Sequence, residues 1–154
     1  MGLGNKQSRI YLNVKQGKIY HGQEGYDYIQ GYLRGIELKD RPFKGGVVKY
    51  WYIDIQTQER ILYSLALSYS SGVAKSLFNS LASAQDFNQE IKIQTYQSGE
   101  YTKVTTYQGT QRLDWKYKDL PQVRTVVVGG REVRDDSIRM SFIEDLVRDI
   151  NSKI

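Results

Sequence analysis

The chain predicts a mainly β fold. Three observations carry this. Apolar and polar residues alternate along several segments, the signature of half-buried strands. Gly-containing turn pairs recur between those segments. Only two stretches switch to helical spacing.

The first strand is Arg9–Val14, with Ile10, Leu12 and Val14 against Arg9, Tyr11 and Asn13; Gln16-Gly17 turns the chain. Residues 21–25 read as a loop. A long strand follows from Tyr26 to Leu38, with Ile29, Gly31 and Leu33 on one side and Tyr28, Gln30, Tyr32 and Arg34 on the other. Gly31 and Gly35 inside it imply coiling or a bulge. Lys39–Lys44 reads as a basic loop ending in Gly45-Gly46. Val47–Ile55 is the clearest strand: Trp51, Ile53 and Ile55 share one face, and Val48, Tyr50, Tyr52 and Asp54 the other. Glu59–Leu67 pairs with it across Thr57-Gln58. In Ser70–Ala84, Val73, Leu77, Leu81 and Ala84 recur at helical spacing. Three short strands follow, Glu90–Tyr96, Tyr101–Tyr107 and Gln111–Tyr117, turned at Ser98-Gly99 and Gln108-Gly109.

Four strands, one helix and three more strands make an order that suggests an OB-like small Greek-key barrel. A different small barrel and an α+β sheet covered by one helix share that order. Beyond the barrel, Val123–Val128 and Arg131–Arg134 form a hairpin around Gly129-Gly130. A helix closes the chain, with Ser141–Glu144 fitting a capping box and Ile143, Leu146, Val147 and Ile150 an apolar stripe. The division is therefore 1–118, an OB-like barrel, and 119–154, a C-terminal hairpin and amphipathic helix. Charge follows the same division: residues 1–118 carry a net +6 and residues 119–154 a net −1.

Composition excludes several chemistries. The chain has 154 residues and no cysteine, so disulfides, thiol catalysis and cysteine-ligated zinc are absent. Its one histidine, His21, cannot form a histidine-cluster metal site, and the scattered carboxylates suggest no acid–base pair. No glycine pair carries a phosphate-loop pattern. The reading is a non-enzyme without metal or cofactor. No apolar run is long enough to span a membrane, and Met1–Lys6 has no apolar leader core, so the expected location is cytoplasmic.

Two excesses remain. The net charge is +5, and there are 13 tyrosines against four phenylalanines. Basic charge favours polyanionic partners, and rings with a polar tip suit half-exposed surfaces. Tyr28, Tyr32 and Arg34 project together on one strand, and Tyr50 and Tyr52 on the next; pairing of the two would make a tyrosine platform. Lys39, Arg41, Lys44 and Lys49 come from the connecting segment. Such rings stack on any nucleobase and such cations neutralise phosphates, the requirements of a single-stranded nucleic-acid groove. Lys103, Tyr107 and Arg112 are secondary candidates near the last turn. Trp51 and Trp115 are read as core, each sharing a face with apolar neighbours. Strand propensity alone also favours tyrosine, and edge lysines block aggregation.

Tyr11–Ile19, Gly31–Ile36, Lys49–Ile55 and the helix Gly72–Leu81 together resemble the OB-fold single-stranded DNA-binding proteins of bacteria and bacteriophages, over about residues 9–117. The resemblance implies sequence-tolerant coating of single-stranded DNA in replication, recombination or repair, in the bacterial or phage-host cytoplasm. It places contacts at Tyr28, Tyr32, Arg34, Tyr50, Tyr52 and the connecting basic residues. The chain departs from the family at its end: Arg148–Ile154 is neither strongly acidic nor aromatic, so partner recruitment through an acidic tail is not expected. Two other readings stay open. One is single-stranded RNA binding. The other is a structural or protein-interaction module, such as a phage assembly component, with the C-terminal helix serving a homo-oligomer or protein partner.

Overall fold

A computed structural model describes residues 8–154; the stretch read for a leader, Met1–Lys6, lies outside the described residues. The fold is mainly β, as expected. Strands β1 (Arg9–Lys15), β2 (Lys18–His21) and β3 (Glu24–Tyr26) form a meander. The expected loop at 21–25 is instead the tight β2–β3 turn, closed by the His21–Glu24 pair and by Gly22 at φ +63°. Tyr26 therefore belongs to β3 and not to the long strand. Gln16 and Gly17 both take positive φ, 51° and 80°, as a two-residue hairpin turn between right-twisted strands requires.

The long strand is β4 (Tyr28–Phe43), followed by β5 (Gly46–Gln56) and β6 (Leu62–Ser68). Register shifts between Leu33 and Gly35, so Arg34 sits on a bulge. This bend lets the first part of β4 pair with β7 (Ile91–Ser98) and the rest with β5. Gly31 packs its backbone against the end of β5: a Cβ there would lie 2.7 Å from the Gln56 carbonyl oxygen. The expected basic loop is not a loop. Lys39–Phe43 continues β4 and pairs through to Gly46–Tyr50, with Lys44-Gly45 as the turn. Because β6 ends opposite Tyr50, the tip of this hairpin projects as a two-stranded ribbon.

Helix α1 (Gly72–Leu81) follows β6, its N-cap Ser71 hydroxyl accepting from the Ala74 N–H. Then come β7, β8 (Tyr101–Gln108) and a short β9 (Gln111–Leu113). One sheet runs β3-β2-β1-β6-β5-β4-β7-β8-β9, antiparallel except where β1 meets β6. Its two ends, β3 and β9, do not pair, so no ladder closes a barrel among the described residues. The β1–β2 turn instead reaches the far half: Gly17 N–H donates to Thr102 Oγ1 at 3.0 Å, and Thr95 Oγ1 donates to the Gly17 carbonyl at 2.9 Å.

The inner face is apolar, as the alternation predicts: Leu12, Ile29, Leu33, Trp51, Ile53 and Ile55 are buried. Trp51 is edge-on to Phe78 of α1 and donates its indole N–H to the Tyr69 carbonyl. Each such aliphatic or aromatic side chain contributes about 1.5–3 kcal/mol by leaving water.

The strand expected over Gln111–Tyr117 ends at Leu113. Buried Asn79 on α1 is the reason. Its side chain takes both the N–H and the carbonyl of Tyr117, and its own carbonyl takes Lys116 N–H, at 2.8–3.0 Å. Residues 115–117 are thus tied to the helix, and Trp115 is 55% exposed rather than core. Strands β10 (Arg124–Val128) and β11 (Arg131–Asp135) form the expected separate hairpin. Helix α2 (Ser137–Ser152) begins one turn before the expected capping box. The Asp135 carboxylate accepts from Ser137 N–H, leaving Ser141 inside the helix; hydrogen bonding by the Ser137 side chain, and then by its N–H, holds the Asp135 carboxyl below its ordinary range. Buried Met140, Ile143, Leu146, Val147 and Ile150 join the same apolar cluster as the sheet and α1. Asn151 clamps the bend of β4, accepting from Ile36 N–H and donating to its carbonyl at 3.0 and 2.9 Å.

Candidate nucleic-acid interface

Side chains opposite one another in an antiparallel pair share a face. Across β4 and β5, Lys39 pairs with Tyr50 and Glu37 with Tyr52; Tyr32 pairs with Gln56. Tyr32, Lys39, Arg41, Tyr50 and Tyr52 thus lie on the outer face, away from Trp51 and Ile53. On the next strands, Lys92 pairs with Tyr107 and Tyr28 with Gln94, again outward. Tyr11 of β1 meets Tyr52 edge-on, with ring centroids 6.0 Å apart.

Five tyrosines of this face, Tyr28, Tyr32, Tyr50, Tyr52 and Tyr107, carry a cation. Arg34 lies over Tyr32 at 5.5 Å, Lys39 over Tyr52 at 5.7 Å, and Arg41 over Tyr50 at 5.0 Å. Lys92 bridges two rings, 4.5 Å from Tyr28 and 5.9 Å from Tyr107. At the ribbon tip Lys44 sits 5.3 Å over exposed Phe43. The bulge aims Arg34 along the sheet, where its Nε donates to Gln56 Oε1 at 3.0 Å. Lys39 shares its charge with Glu37, 3.2 Å away. Among the described residues no carboxylate pairs with Arg34, Arg41, Lys44 or Lys92.

The sequence-selected residues do not all gather here. Lys49 pairs with Asp40 and turns to the opposite side, 5.4 Å over Tyr69. Lys103 and Arg112 line a separate groove of about 810 Å³ between α1 and β8, with Trp115. Arg112 pairs there with Asp114 at 3.3 Å. Tyr107 joins the outer face through Lys92 and does not line the groove. Sequence reasoning missed Lys92, Phe43 and Tyr11. Alternation in Ile91–Tyr96 places Lys92 outward, but its neighbours across strands depend on β4 pairing with β7, which no local pattern encodes.

Other polar groups are structural. Tyr69 OH donates to Glu144 at 2.8 Å, tying the segment after β6 to α2; burial and that carboxylate push its hydroxyl up to about 12. Tyr26 OH donates to Glu24 at 2.6 Å, which raises its pKa. Burial, reinforced by Arg139, lowers the Lys75 pKa. His21 borders a small cavity of about 190 Å³ with Tyr26, Tyr28 and Tyr63. Among the described residues, no three acidic or histidine side chains converge as a metal centre needs, and no helix is long and apolar enough to cross a membrane.

Comparison with protein-family models, curated proteins and solved structures finds no match to this chain.

Proposed function

We propose that this chain binds single-stranded DNA without sequence preference, by ring stacking and phosphate neutralisation and without catalysis. The observation that carries the reading is the outer face of β4, β5, β7 and β8. Five tyrosines (Tyr28, Tyr32, Tyr50, Tyr52 and Tyr107) each lie 4.5–5.9 Å from a cation there. Alternating π-faces and positive charges match a strand whose bases and phosphates alternate, and neither element reads sequence. The order β4-β5-β6, α1, β7-β8 supports an OB-type scaffold, a partly open barrel in which binding falls on outer strands and loops. The work this suits is protection of exposed single strands in replication, recombination or repair, in a bacterial cytoplasm or that of a phage host.

The test is a fluorescence titration with oligo-dT, the matched duplex and oligo-U at two salt concentrations. Salt-sensitive preference for oligo-dT over duplex is the expected result. Equal or tighter binding of oligo-U moves the assignment to RNA. No binding of any of the three at low salt removes the nucleic-acid reading.

One observation favours a second reading, a protein-interaction module. The β10–β11 hairpin stands outside the main sheet and exposes Val127, Val128 and Val133. An isolated two-stranded hairpin is marginal in water, so these valines suit a protein contact. Light scattering tests this: an oligomer that Val127→Glu dissociates would support it.

A further inference from the structure

The groove between α1 and β8 has chemistry the tyrosine face lacks. Strand β9 covers β8 only at Thr106–Gln108, so Tyr101–Thr105 has no strand neighbour on that side among the described residues. Two-residue turns fix which backbone groups are free. Ser98–Tyr101 closes the β7–β8 hairpin, so Tyr101, Lys103 and Thr105 spend their N–H and carbonyl groups on β7. Thr102 and Val104 therefore turn theirs toward the groove. The open edge is about 17 Å long at 3.3 Å per residue. Such an edge is a template for another strand unless something covers it.

The walls narrow the choice of occupant. Val73 of α1, Val104 and Leu113 supply apolar lining, and Trp115 stands beside them with its indole N–H held by Ser76 Oγ at 3.1 Å. Around them sit Lys103, Lys116 and Lys118, which no described carboxylate neutralises. A nucleic-acid strand could meet the charges, but its backbone offers no N–H donors to the free carbonyls of a β edge. A peptide matches both.

We propose that this groove binds an extended acidic peptide, which adds to the Tyr101–Thr105 edge of β8 as an antiparallel or parallel strand. Its backbone completes the ladder at Thr102 and Val104. Alternate side chains enter the apolar lining, and its carboxylates meet Lys103, Lys116 and Lys118. This proposal stands independently of single-stranded DNA binding.

The experiment pans a displayed library of random decapeptides against the full chain and titrates the enriched peptide by tryptophan emission. Trp115 is 55% exposed and Trp51 only 2%, so a change in emission reports on the groove. Enrichment of sequences with acidic residues at alternate positions is expected. Methylating alternate backbone nitrogens of the selected peptide should weaken it at least tenfold, because strand addition needs those donors. Lys116→Glu with Lys118→Glu should also weaken it about tenfold, with an unchanged circular dichroism spectrum. Absence of acidic enrichment, or equal binding of the methylated peptide, overturns the proposal. So does displacement of Trp115 emission by oligo-dT with no peptide response, which would make the groove a nucleic-acid track. Oligo-dT affinity of Tyr50→Ala with Tyr52→Ala reads the tyrosine face separately, so the two conclusions fail independently.

Discussion

Charge and stacking make separable contributions to single-strand binding, and the outer face allows them to be removed separately. Arg34, Arg41, Lys44 and Lys92 carry unshared charge beside the rings. If each neutralises one phosphate, the log–log salt slope is about −2.8, at about −0.7 per phosphate. Raising salt from about 50 to about 200 mM then weakens binding about 50-fold. Arg41→Ala with Lys92→Ala leaves two cations, a slope of about −1.4 and a salt effect of about 7-fold. Tyr50→Ala with Tyr52→Ala should behave differently. Each ring contributes about 1–3 kcal/mol, so affinity falls about 5- to 150-fold per ring while the slope stays unchanged. The assay is fluorescence anisotropy of labelled oligo-dT across that salt range, with circular dichroism as the check on folding. The reasoning is refuted if the tyrosine pair changes only the slope, or if the cation pair leaves it at the wild-type value.

Three further outcomes follow from the packing. Tyr69 OH has its pKa raised to about 12, so its folded-state contribution is present below about 10 and is lost as pH rises toward 12; denaturant melts in that window should show a larger loss in wild type than in Tyr69→Phe. Asn79→Leu removes the partner of the part-buried N–H and carbonyl of Tyr117 and should cost about 1 kcal/mol per lost hydrogen bond in urea unfolding, because Tyr117 is 36% exposed and water reaches the released groups; it should also release the 115–117 segment and change Trp115 emission. Gly17→Ala should lower the thermal midpoint. Gly17 has φ +80°, which costs an L-residue about 1–2 kcal/mol, and its new Cβ would lie 2.5 Å from Gln97 N; an unchanged midpoint would show that the β1–β2 turn does not dock on β7.

Strands that bury one face were legible because alternation reports that burial directly: Ile29, Leu33, Ile53 and Ile55 all point inward as read. Helix α1 was legible from its spacing, although it runs Gly72–Leu81 within the expected Ser70–Ala84 because Ser71 caps it. What failed were features decided by distant partners. Trp115 shares parity with Leu113, so a continuing strand would have buried it. The strand stops because Asn79, more than thirty residues earlier, offers Tyr117 better hydrogen bonds than a ladder could. Lys39–Lys44 reads as a loop because charge and Pro42 dominate it, yet pairing with Gly46–Tyr50 carries β4 through. Pro42 is tolerated there because β4 beyond Gly31 pairs only with β5, leaving one side of the ribbon without a ladder. At the site, face was legible residue by residue, whereas grouping was not: Lys49 turns to the other side, and Lys103 and Arg112 fall in the groove.

The cation above each ring raises a question of competition, since a guanidinium 5.0 Å over Tyr50 occupies a face that a base would use. An exposed cation–π contact is worth about 0.5–1 kcal/mol. A stacked base returns about 1–3 kcal/mol, and the displaced Arg41 gains a phosphate one strand position away. The exchange therefore favours the nucleic acid. Before binding, the same contact restrains Arg41 and shields the ring from water, which limits the side-chain freedom lost on complex formation. Arg41→Gln separates these effects. It removes the charge and keeps a planar group able to lie on the ring, so the salt slope should fall by about 0.7 while the stacking of the base on Tyr50 persists. Equal losses for Arg41→Gln and Arg41→Ala would mean that charge alone matters and that the ring contact contributes nothing to preorganisation.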